Sequence, residues 1–70
     1  LFITKQDGNS DEAVNIEIRG CEIRYTPKSD MRKREVCGIY ENRKRATEVF
    51  AEMAHIGWNE KNPKYVMPIN

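Results

Sequence analysis

From Val14 to Tyr25, apolar and polar residues alternate with a single interruption. Val14, Ile16 and Ile18 take turns with Asn15, Glu17 and Arg19; Cys21, Ile23 and Tyr25 then take turns with Glu22, Arg24 and Thr26. A period of two gives a strand one apolar and one polar face. The interruption, Arg19-Gly20, supplies the glycine that a tight hairpin turn favours. The chain must therefore contain an antiparallel β-hairpin with one apolar face, and the remaining residues must cover that face. Pro27 closes the second strand, because proline lacks the ladder N–H.

The flanking segments supply further strands and one cover. "LFIT" is short and apolar, and "QDGNSD" after it has turn composition, with Asp7 able to bond its own backbone. "REVCGIY" alternates again, with Cys37 and Ile39 on one face and Val36 and Tyr40 on the other. Gly38 inside it signals a bulge or a close approach by a helix. The period then changes. Ala46, Val49, Phe50, Met53 and Ala54 recur at spacings of three and four, the stripe of an amphipathic helix capped by Asn42. Gly57 is the expected left-handed stop, with Trp58 folding back onto Met53. Strands are thus expected at about 1–5, 13–19, 21–26 and 34–40, a helix at about 43–56, and a tail over 58–70. These 70 residues make one α+β domain, an antiparallel meander of three to four strands with one helix on a face.

Several function classes fit poorly. No apolar run nears the roughly 20 residues a membrane helix needs, and "LFITKQDG" has neither the basic nor the apolar region of a signal peptide. No membrane partner and a cytoplasmic location are the expectation. Cys21 and Cys37 form no CxxC pair, and they read as reduced core thiols. His55 stands alone, no phosphate-binding glycine loop occurs, and Glu48 with Glu52 reads as a solvated helix face. No metal, no cofactor and no enzymatic activity are expected.

Two features could carry binding. Six of the 12 Lys and Arg residues lie between Arg32 and Arg45: Arg32, Lys33, Arg34, Arg43, Lys44 and Arg45. The last three open the helix, where the macrodipole disfavours positive charge by about 0.3–1 kcal/mol each. A phosphate or nucleic acid would relieve that strain. Solvent, salt and Glu48, three residues from Arg45, would also blunt it. The second feature is the tail. Trp58, Tyr65, Val66 and Met67 are apolar among polar neighbours, suited either to a partner's sheet edge or to the chain's own core.

"QDG" at 6–8, "GIY" at 38–40, "RATEV" at 45–49 and "YVMP" at 65–68 together resemble a group of short uncharacterised hypothetical proteins of Firmicutes and their phages. The resemblance implies a bacterial or phage cytoplasmic setting and no particular mechanism. Those relatives carry acidic residues in the first helical turn, so a role exercised through that surface would not transfer to Arg43, Lys44 and Arg45. The preferred expectation is a non-enzymatic protein-contact module, probing itself or another protein through Trp58, Tyr65, Val66 and Met67. The alternative is a nucleic-acid- or phosphate-binding accessory protein using the basic residues at 32–45.

Overall fold

The computed structural model describes Leu1–Asn70. Five strands and one helix follow in the order β1 (Phe2–Thr4), β2 (Ser10–Arg19), β3 (Glu22–Pro27), β4 (Glu35–Ile39), α1 (Arg43–Asn59) and β5 (Lys64–Val66). The strands form one mixed sheet in the order β4-β3-β2-β1-β5. The expected α+β class and the helix on one sheet face are both present. The tail adds a fifth strand, and this strand runs parallel to β1, pairing Ile3 with Tyr65. A pure meander is excluded because α1 carries the chain back across the sheet before β5 begins. Such a crossover is what a parallel pair requires.

The β2–β3 hairpin turns on Gly20 and Cys21, one residue later than expected, with Arg19 paired to Glu22. Gly20 has φ +62 and sits first in the turn, the place where glycine's freedom is needed. Cys21 is consequently a half-buried turn residue, whereas Cys37 is buried and its thiol donates to the Ile23 carbonyl at 3.4 Å. Both cysteines are free.

Two bulges shift the alternation. The β2–β3 register slips between Ala13 and Asn15, so Val14 turns out to solvent while Ala13 and Ile16 face the core. The β3–β4 register slips between Ile23 and Arg24, where Gly38 faces Ile23 and Val36 faces Arg24. Cys37 is the extra residue, and the phase change leaves Ile39 57% exposed instead of beside it in the core. An extra residue bends the bulged strand and increases its twist. β2 also belongs to two ladders, pairing β1 through Ser10–Glu12 and β3 from Ala13 onward.

The bent sheet brings its margins together. The Gln6 N–H donates to the Cys37 carbonyl at 3.1 Å, although β1 and β4 are three places apart in the sheet. Inside lie Ile3, Ile23, Tyr25, Tyr40, Tyr65 and Met67 from the sheet and its ends, covered by Ala46, Val49 and Met53 of α1.

Asn42 caps the helix as expected, its side-chain oxygen accepting from the Arg45 N–H at 2.9 Å. The other end differs. Gly57 is helical, and α1 continues through Trp58 to Asn59. A glycine inside a helix costs only about 1 kcal/mol against alanine, too little to stop a helix whose end is otherwise satisfied. The Asn59 amide donates to the His55 carbonyl at 2.8 Å, and the Glu60 N–H donates to the Ile56 carbonyl at 3.2 Å. Trp58 therefore does not fold onto Met53; it projects from the last turn, 90% exposed.

Candidate functional site: an apolar helix flank

The basic residues do not form one patch. Arg32, Lys33 and Arg34 precede β4, and Arg43, Lys44 and Arg45 follow it. Five extended residues separate the two groups by roughly 15–17 Å. Several of the cations already have work within the chain. Arg32 pairs with Asp30 at 3.4 Å and Arg34 with Glu17 at 3.5 Å. The Arg45 guanidinium donates to the Asn70 carbonyl at 3.0 Å, approaches Glu48 at 3.7 Å, and lies 6.0 Å from the centre of the Tyr40 ring. Lys33, Arg43 and Lys44 remain without an ion pair.

The tail residues divide as well. Tyr65 is 6% exposed and Met67 2%, so both belong to the chain's own core and offer a partner no surface. Strand alternation explains it. With Tyr65 inward, Val66 points out, and it is 69% exposed. The Tyr65 hydroxyl is raised to about 12, first by burial and then by the negative charge of Glu52. Burial similarly raises the Cys37 thiol to about 11.

The motif residues from the four short segments meet at one corner. The Gln6 amide accepts from the Ile39 N–H at 2.8 Å and donates to the Ile39 carbonyl at 3.2 Å, as a neighbouring strand's peptide would. The same nitrogen lies 3.0 Å from the Pro68 carbonyl, which also accepts from the Tyr40 hydroxyl at 3.0 Å. Met67 packs over Gly38, and a Cβ there would meet its methyl at 2.7 Å. The close approach at Gly38 thus comes from the tail and Tyr40, not from the helix. Arg45 against Tyr40 and Asn70 completes the corner. Every contact in it closes the sheet.

Tyr25 forms a second polar junction. Its hydroxyl lies 2.7 Å from Asp11 Oδ2 and 3.0 Å from Glu35 Oε2, donating to one carboxylate at a time. Burial and both hydrogen bonds raise its ionisation well above the ordinary tyrosine value. This junction ties β2, β3 and β4 together by side chains.

The surface that the chain leaves unfilled lies between α1 and β2. A groove of about 350 Å³ is lined there chiefly by Leu1, Val14, Ile16, Phe50, Ala54 and Trp58. The bulge that ejects Val14 forms one lip, and the extended helix end that carries Trp58 forms the other. The sequence marks Trp58 both as a helix stop and as a contact residue, and marks Val14 and Phe50 only as core-facing positions. Val14 lies in a strand alternation and Phe50 in the helix stripe, and neither pattern carries a mark of the bulge that exposes Val14.

Fold and surface define a small α+β domain with a five-strand mixed sheet, one packed helix and an uncovered apolar flank. No helix is long and apolar enough to cross a membrane. No protein-family model, curated protein or solved structure matches the chain at a significant level.

Proposed function

We propose that this chain acts non-enzymatically, as a self-associating protein-contact module. The observation that carries the reading is the exposure of Trp58 beside an apolar groove. A tryptophan left in water forgoes one of the largest burial gains a side chain can offer. A domain this small has few apolar residues to spare. Contiguous exposed apolar surface marks contact sites on soluble domains, and Phe50, Val14 and Trp58 are contiguous around the groove. The anion reading draws less support, because the basic residues are split and half of them are already paired.

Sedimentation equilibrium of the full chain over a concentration series tests the proposal. Self-association should raise the apparent mass toward twice the 8.2 kDa of one chain. A chain that stays at the monomer mass up to about 1 mM, where any association would be weaker than about 4 kcal/mol, would refute it.

A further inference from the structure

We infer that the self-associating surface is the exposed flank of α1, and that its occupant is the same helix of a second copy lying antiparallel. This inference rests on the self-association proposed above and specifies where it happens. Thr47, Ala51, Ala54 and Trp58 follow one another at spacings of four, three and four, which aligns them along a helix. Ala54 is half-buried and the other three are exposed, on the side of α1 that borders the groove. No charged side chain interrupts this line. Lys44, Glu48, Glu52 and His55 fall on the next sector of the helix.

The occupant follows from symmetry. A twofold interface must be complementary to itself. About an axis between residues 52 and 53, Thr47 of one copy faces Trp58 of the other, and Ala51 faces Ala54. Small residues meet at the axis, where the backbones come closest, and the large residue lies at each end against a small one. Side chains lean toward their own helix N-terminus. Trp58 of each copy is therefore carried toward Phe50 and the groove mouth of the other, so knob and hollow lie on the same flank.

Charge agrees. The first turn of α1 holds no acidic residue and the last turn no basic one, the reverse of what the helix dipole favours. In this antiparallel register Arg43 and Lys44, free of ion pairs in the monomer, lie just past the partner's helix C-terminus, with Lys44 level with Lys61 and one residue from Glu60. Lys61 stands next to Glu60, so the complementarity comes chiefly from the dipole end. Facing helices with this polarity neutralise each other's ends.

Sedimentation of the full chain and of surface variants tests the geometry. Ala54→Arg and Trp58→Ser each should lose the dimer at concentrations where the unaltered chain is half associated, with an unchanged circular dichroism spectrum. The double variant Arg43→Glu/Lys44→Glu gives the sharper result. It should weaken association at least threefold while raising the monomer's melting temperature, because acidic residues suit a helix N-terminus. A spin label on Lys44→Cys in a Cys21→Ser background should place the two labels roughly 25 Å apart along the helix axis. A dimer that survives Ala54→Arg would overturn this surface and leave self-association standing. A short label separation would overturn the antiparallel arrangement. A monomeric unaltered chain would remove both.

Discussion

Two glycines show how differently one residue type can be placed. Gly38 sits where a Cβ would come within 2.7 Å of the Met67 methyl and 2.9 Å of the Tyr40 ring and hydroxyl. Met67 is buried and the Tyr40 hydroxyl is held by the Pro68 carbonyl, so neither can yield cheaply. Gly38→Ala should destabilise the domain by about 1–3 kcal/mol, the usual cost of overpacking, measured as a lower urea midpoint. Gly57 is the opposite case. It is helical, and a Cβ there would meet nothing nearer than a Leu1 methyl at 3.9 Å. Gly57→Ala should stabilise by about 0.5–1 kcal/mol through lost unfolded-state freedom, a rise of several degrees in melting temperature for a domain of this size. A fall would mean that Gly57 is needed for something its surroundings do not display.

At the level of elements, the sheet is closed by a side chain. The open edge of β4 ends at Ile39, and the Gln6 amide pairs with both of its backbone groups while also donating toward the Pro68 and Ile69 carbonyls. Gln6→Ala should cost about 1–2 kcal/mol, as loss of a few partly exposed hydrogen bonds does, and should speed hydrogen exchange at the Ile39 amide. Gln6→Glu keeps the acceptor but sets a carboxylate against three carbonyl oxygens, and should be worse than alanine at neutral pH. An alanine variant as stable as the parent, with slow exchange at Ile39, would show that the closure contributes nothing.

The hairpin, the third strand, the Asn42 cap and the helix stripe are legible in the chain because each rests on local spacing. Gln6 is not: its partners lie 33 and 62 residues away, and its neighbours spell only a turn. The bulges at Val14 and Cys37 are equally silent, since an extra residue within an apolar alternation looks like more alternation. Gly38 is the one local hint of the second bulge. The apolar flank was half visible, through Trp58. Its other lip depended on a register slip, and its emptiness on how far the helix ran past Gly57.

At the scale of the whole molecule, four groups that ionise in alkali are held neutral by the fold. Burial leads for all of them. It raises Cys37 from 9.0 to about 11 and, with Glu52's charge, Tyr65 from 10.0 to about 12. Tyr40 is raised by burial, chiefly, and Tyr25 by burial with the hydrogen bonds of Asp11 and Glu35. The unfolded chain therefore releases these protons at lower pH than the folded one, and each increment of alkali favours unfolding. Their stabilising contribution is complete below about pH 9, where even the unfolded thiol keeps its proton. It declines as pH rises through the unfolded values of 9.0 and 10.0 and is lost as the folded values of about 11 and 12 are passed. Urea midpoints should be level between pH 7 and 8.5, and then fall steadily from pH 9 to 11. Because tyrosines from β3, β5 and the end of β4 share the effect, no single substitution should abolish it. Tyr65→Phe should flatten the part above pH 10, because it removes one of the four groups whose ionisation the fold opposes. A midpoint that holds constant to pH 11 would mean these hydroxyls and the thiol ionise as freely in the folded domain as in water. That outcome would be incompatible with a core in which Tyr25, Tyr40, Tyr65 and Cys37 are buried.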